Sequence, residues 1–182
     1  MEAAAFDLLH HISPGRHYYQ FYKHTDDYLR AMIAYFQAGL EAGDACLWLV
    51  SERIGILEAR EAAENTITGF PSYEEQGQFQ ILSAEDWYLH AGCFDEAQSF
   101  MNAARYVEEI QKQGFRKLRA SGDAGAVPRR DWQRFGMYEK NVDSVIKASP
   151  FVALCTYPIL ELSLKETKMV LDCHDDVLIN HF

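Results

Sequence analysis

Two segments, Ala45–Val50 (ACLWLV) and Phe151–Tyr157 (FVALCTY), are apolar almost without interruption. A strand with one wetted face alternates apolar and polar residues. A continuously apolar strand has to be covered on both faces, as in parallel sheets flanked by helices. This restricts the chain to an α/β architecture, provided that amphipathic helices lie between the strands. Thr25 offers an N-cap with Asp26 and Asp27 in the first turn; Leu29, Met32, Ile33, Phe36 and Leu40 follow at helical spacing up to Gly43. Arg53–Asn65 reads as a weaker helix. Asp95 with Gln98 forms a capping-box pair ahead of Phe100, Ala104, Val107 and Ile110. Pro128 suits a first helical position before Trp132, Phe135, Val142, Val145 and Ile146, and Ser163 with Glu166 caps a last helix.

The aromatic run His17–Tyr22 reads as the first strand, Phe79–Leu82 and Lys117–Ser121 as further strands, Val177–Ile179 as the last, and Gly69–Gly77 as a loop. The pattern is β-α repeated five times with a closing strand. It predicts one domain over residues 1–182: three layers, α/β/α, around a mostly parallel central sheet. Trp48 and Cys155 are expected to be buried in adjacent central strands.

In open parallel sheets, ligands lie beyond the carboxyl ends of the strands. Here those ends are Tyr22–Thr25, Ser51–Arg53, Ser83–Tyr88, Ser121–Gly125 and Tyr157–Leu160. Tyr22, Trp87 and Tyr157 fall at or just past them, as does Asp123 within Gly122-Asp123-Ala124-Gly125. As a site, the rings supply contact area and Asp123 orients a polar group; as plain structure, the rings are core and the glycines a turn. The first strand–helix junction reads Tyr22-Lys23-His24-Thr25-Asp26-Asp27, and neither GxxxxGK[ST] nor GxGxxG occurs in the chain. Two aspartates at a helix start also repel phosphate, which argues against ATP or NAD as cofactor. No GxSxG elbow is present.

Seventeen basic residues against 27 acidic ones leave a net charge of −10. Nucleic acid and anionic membrane surfaces both attract Lys/Arg-rich faces, so neither is an expected partner. No apolar run reaches the ~18 residues a membrane helix needs, and the acidic start carries no secretory n-region. Cys46, Cys93, Cys155 and Cys173 form no CxxC and read as buried thiols of a reducing cytosol. Cys155 in particular reads as a small core hydrophobe. The histidines and cysteines show no metal-ligand spacing: Cys173-His174-Asp175 and His10-His11 are merely adjacent. Positive charge gathers in Arg116, Lys117, Arg119, Arg129, Arg130 and Arg134. Arg129 and Arg130 stand at the end of a helix that the dipole makes unfavourable for cations. They are either a solvated face or a contact for an anion or an acidic partner.

The segments HYYQFY, FQAGLEAGDACLWLVSE, FQILSAEDWYLHAGCFD, LRASGD, VALCTYPI and VLDCHDDVLIN, in that order and spacing, resemble the successive blocks of the MEDS domain. This is the sensory domain named for methanogen and methylotroph regulators, including the dichloromethane dehalogenase repressor. The resemblance covers about Gly15 to Asn180. It implies a RecA/KaiC-type fold without a working P-loop and a role in sensing small hydrocarbon derivatives. Carried over block by block, it implies roles for His17, Tyr22, Asp123 (where the family often has glutamate), Cys155, Tyr157 and His174. Many relatives have cysteine two residues after the first histidine; this chain has Tyr19, which argues against a His/Cys metal or thiol site.

The expected function is therefore a non-catalytic, cytoplasmic sensory domain. It would bind a small apolar or weakly polar metabolite; because no helix-turn-helix or kinase segment is visible, it would either pass the signal to a separate signalling or regulatory protein or be the sensory piece of a longer one. The alternative is a degenerate RecA-like module that engages a kinase or regulator without a small ligand. An enzyme using Asp123 and His174 as acid–base groups is the third reading. No cofactor is expected.

Overall fold

The computed structural model describes Leu9 and residues 12–178. The chain runs β1 (Arg16–Tyr22), α1 (Thr25–Glu41), β2 (Ala45–Val50), α2 (Ile56–Thr66), α3 (Phe70–Glu75) and β3 (Phe79–Ser83). It continues with α4 (Ala84–Tyr88), β4 (Leu89–His90), β5 (Cys93–Phe94), α5 (Glu96–Lys112) and β6 (Leu118–Asp123). The last elements are α6 (Trp132–Lys147), β7 (Phe151–Pro158), α7 (Leu164–Cys173) and β8 (Asp176–Val177). Six strands form one sheet in the order β3-β2-β6-β7-β1-β8, and every pairing in it is parallel. Helices cover both faces, giving the three-layer α/β/α arrangement.

The two faces hold separate cores, because successive strand residues point to opposite sides. On one side α1, α2 and α3 pack Tyr28, Met32, Phe36, Ala63 and Phe70 against Trp48, Phe79 and Leu154. On the other, α4 to α7 pack Tyr88, Tyr106, Phe135, Tyr138 and Val170 against Leu47, Leu49, Leu118, Cys155 and Tyr157. Trp48 and Cys155 are both buried, but they are not on adjacent strands as expected. β6 lies between β2 and β7, and the two residues face opposite cores.

Several local expectations shift. Thr25 is the first helical residue of α1; the N-cap is His24, with no side-chain cap bond. α2 begins three residues later than Arg53, because Ile54 and Gly55 close a turn back to Ser51 O. The segment expected as a loop after Gly69 contains α3, entered through Gly69 in the left-handed conformation. Ser83 accepts a hydrogen bond from Asp86 N and starts α4 directly at the end of β3. α4 leads into the hairpin β4–β5, whose turn residues Ala91 and Gly92 both have positive φ. Asp95 caps α5 through Gln98 N, while the Gln98 side chain bonds Asn102 instead of completing a box. A 3-10 turn over Arg129–Asp131 precedes α6, with Pro128 before it. The Ser163–Glu166 capping box is present in full. β8 starts one residue before the expected strand, and Ile179 lies outside the described residues.

Candidate functional site

The residues expected to share one pocket divide between the faces of the sheet. Tyr22 and Asp123 lie on the α1 side. The Tyr22 hydroxyl donates to Asp123 Oδ1 at 3.0 Å, Gly125 N–H donates to the same oxygen at 3.0 Å, and Ser51 Oγ–H donates to Oδ2. Asp123 is fully buried. Burial raises its pKa above the usual carboxylate value against the opposing effect of these donors. It caps the 3-10 turn that follows β6. Asp123, expected to orient a ligand group, accepts from Tyr22, Ser51 and Gly125 within the protein.

Tyr157 and Trp87 lie on the other side, and there they separate again. Trp87 stands edge-on to Tyr106 between α4 and α5. Tyr157 lies among His17, Cys155 and His174. The physical reason for the division is the two-residue period of a strand: Tyr22 and Asp123 have one parity along β1 and β6, while Tyr157 faces the side that also carries His17 and Cys155.

The cluster on that side joins four elements. His17, near the start of β1, is fully buried and points its Nε2 at Cys155 Sγ of β7, 3.3 Å away. Glu139 of α6 is 1% exposed and brings Oε2 to 3.4 Å from Nε2 of both His17 and His174. These separations are within ion-pair range but too long for hydrogen bonds to a carboxylate, and neither Glu139 oxygen has a hydrogen-bond partner. His174, the residue after α7, places Nδ1 2.7 Å from Val170 O and Nε2 3.3 Å from the Tyr157 hydroxyl. A carbonyl only accepts, so Nδ1 of His174 carries the proton and Nε2 turns toward the cluster. Burial works to raise the Glu139 pKa, and positive charge or proton donation from the adjacent imidazoles works to lower it. Burial, and then the Glu139 charge, push the Cys155 thiol well up. Tyr19, beside Cys155 in the strand register, packs its ring against His174. The four groups His17, Glu139, Cys155 and His174 each present one ligating atom, all within 4.8 Å of one another. Linear spacing could not show this convergence.

Beside the cluster is a cavity of about 360 Å³ between the sheet and helices α5 and α6. Its floor is Leu118, Ala120 and Gly122 of β6 with Ala153 and Cys155 of β7, and Val107 and Val142 form helical walls. Glu139 and Cys155 therefore belong both to the cluster and to the cavity wall. Ala104 and the half-exposed Val145 stand at its outer lip. Gly122 lets the Tyr88 hydroxyl seat over β6, where a Cβ would run into it. Of the four residues expected to share a pocket, Trp87 lines this cavity, together with Cys155 carried over from the resemblance, while Tyr22, Asp123 and Tyr157 do not.

Arg119, Arg129 and Arg130 make contacts within their own chain. Arg129 pairs with Glu166, with its guanidinium 4.1 Å from the Trp132 ring centre. Arg130 donates to Gly92 O at 2.6 Å. Arg119 is buried, donates to Tyr35 O at 3.0 Å and lies 3.4 Å from Asp44. The basic group is thus not one continuous surface.

Residues 16–175 match the family model described as MEDS, the methanogen/methylotroph, DcmR sensory domain. The chain belongs to the MEDS family. The match spans every site residue carried over from the resemblance, His17 to His174. The MEDS domain described here is also similar in fold to a KaiC-like protein from the hyperthermophilic archaeon Pyrococcus horikoshii. The TM-score is 0.57 at 12% identity, over 88% of this chain and 68% of that one. No curated protein matches. Among the described residues of this MEDS domain, no helix is long and apolar enough to cross a membrane.

The residue that sequence reasoning missed is Glu139. Its signal was present: on α6 it falls four residues after Phe135 and three before Val142, on the apolar stripe that faces the sheet. A charged residue on a buried stripe needs a partner, and its partners come from β1 and from the end of α7.

Proposed function

We propose that this MEDS domain is a non-catalytic sensory module that takes a small, mainly apolar molecule into the cavity between β6, β7, α5 and α6. The observation that carries this reading is an apolar-walled space of about 360 Å³ that reaches from an exposed lip to Glu139, the only charged group in its lining among the described residues. A hydrocarbon derivative suits such a wall, with its apolar part against Ala120, Val107 and Val142 and its polar end toward Glu139 and Cys155. Burying a ligand of a few carbons contributes only a few kcal/mol at ~25 cal/mol per Å², so affinity falls on the order of micromolar to millimolar. α5 and α6 both border the space, so a ligand that prefers one spacing of these helices shifts the population of states by its differential affinity and by no more. The enzymatic reading loses its support, because Asp123 and His174 lie on opposite faces of the sheet.

The test is ligand-observed NMR with short alcohols, methylamines and halomethanes against wild type and Ala120→Leu, which fills the floor of the cavity. Binding to wild type with loss in Ala120→Leu is the expected result. Hits indifferent to Ala120→Leu, or no hit at all, would overturn the assignment.

A further inference from the structure

The cluster at the inner wall of the cavity poses an electrostatic problem. Glu139 Oε2 lies between two imidazole nitrogens at 3.4 Å each, and both carboxylate oxygens are buried without a hydrogen-bond donor. His174 Nδ1 donates to Val170 O, which leaves Nε2 as the ring atom that faces both Glu139 and the Tyr157 hydroxyl. His17 is oriented in the same way: its Nε2 faces Glu139 and Cys155, and its Nδ1 lies 3.7 Å from the Asp143 carboxylate. A buried carboxylate without a donor, set among imidazole, thiol and hydroxyl groups, is stabilised by a positive charge placed among them.

The separations suggest what the charge is. Hydrogen bonds between an imidazolium and a carboxylate run to ~2.7–2.9 Å. Ligands of a tetrahedral ion with metal–N and metal–O distances of ~2.0–2.1 Å are about 3.3–3.4 Å apart, and an N–S edge is about 3.5 Å. The observed edges are 3.4, 3.4 and 3.3 Å. The remaining pairs lie within 4.8 Å. His174 also carries the outer hydrogen bond that metal-bound imidazoles use, to a backbone carbonyl, and His17 Nδ1 faces the Asp143 carboxylate at 3.7 Å.

We propose that His17 Nε2, His174 Nε2, Glu139 Oε2 and Cys155 Sγ bind one divalent transition-metal ion of the zinc class. Two imidazoles, a thiolate and a carboxylate suit zinc and disfavour calcium and magnesium, which take oxygen ligands. On binding, Cys155 gives up its proton to solvent and the thiolate takes its place in the coordination sphere. Glu139 and Cys155 line the cavity, so the ion sits at the cavity's inner wall. The site rests on the donor geometry and stands or falls apart from any sensory ligand.

The test uses untagged, reduced full chain, stripped with chelator and titrated with cobalt(II) as a spectroscopic stand-in, alongside zinc content by mass spectrometry. The expected result is about one equivalent of metal per chain with four-coordinate geometry. This appears as the strong visible bands of tetrahedral cobalt and a thiolate charge-transfer band. Cys155→Ser should lose the charge-transfer band, Glu139→Gln should weaken binding at least tenfold, and Cys93→Ser, at the exposed cysteine, should change neither. Circular dichroism establishes that each variant is folded. If either cluster variant unfolds, the wild-type cobalt spectrum decides alone. Absence of stoichiometric binding to folded wild type overturns the proposal. So does an octahedral spectrum without a thiolate band, or a spectrum that persists unchanged in Cys155→Ser.

Discussion

Tyr22 Oη lies 3.0 Å from Asp123 Oδ1, so two residues expected to meet a ligand spend their polar atoms on each other across the α1 side of the sheet. Tyr22→Phe removes one of the donors to a buried carboxylate and should cost about 1–2 kcal/mol in urea denaturation. Asp123→Ala leaves Ser51, Tyr22 and Gly125 N–H without their acceptor and should cost more, roughly 3 kcal/mol. Neither effect should extend to cavity ligands. A Tyr22→Phe domain that keeps its stability but no longer binds them would return the site to the sheet edge.

Gly122 allows the Tyr88 hydroxyl to approach β6. Tyr88 is fixed edge-on to Phe135 and Tyr138 and cannot swing aside freely. Gly122→Ala should therefore destabilise the domain by about 1–3 kcal/mol through overpacking. Adding Tyr88→Phe should recover most of that loss, because it removes the colliding oxygen. Additive effects in the double mutant would show that the clash is not the cause.

From the helix dipole alone, charge reversal at Arg129 and Arg130 would be neutral or mildly stabilising; at Arg129 the ion pair with Glu166 opposes this. Partial burial works to raise the Glu166 carboxyl, but the Ser163 hydroxyl and N–H and the Arg129 guanidinium outweigh it and keep it below its ordinary 4.5. A depressed carboxyl stabilises above its unfolded pKa and loses that contribution as pH falls toward the folded value. Glu166→Gln should thus cost up to about 1 kcal/mol near neutrality, a screened surface effect. The gap to wild type should close below pH 4.5, as read by melting temperature across a pH series. A gap that stays constant down to low pH would assign the loss to capping geometry rather than charge.

Among the four cysteines only Cys93 is exposed. A thiol reagent should label one site quickly in the native protein and all four after unfolding. Burial also holds the Cys46 and Cys155 thiols well above their ordinary pKa, so neither competes as a nucleophile. Rapid labelling of Cys155 would mean that the cavity admits the reagent down to its inner wall.

The six strands of the main sheet and the layer arrangement were legible in local pattern. ACLWLV and FVALCTY announce doubly covered strands, and Ser163 with Glu166 marks a helix start that the structure reproduces atom for atom. The hairpin β4–β5 was missed because each of its strands is only two residues long, too short for a period to register. Membership of the sensory family was legible too, since ordered blocks along a chain are a linear property. Strand order and facing were not. Whether Tyr22 meets Asp123 or Tyr157 depends on the parity of each residue along its strand and on which strands become neighbours. The latter is set by long-range burial rather than by any local signal. The sequence by itself thus determined the elements, their alternation and the family. Only the tertiary structure decided that His17, Glu139, Cys155 and His174 meet, because nothing short of a packed sheet with α6 and α7 laid across it brings those positions within 4.8 Å of one another.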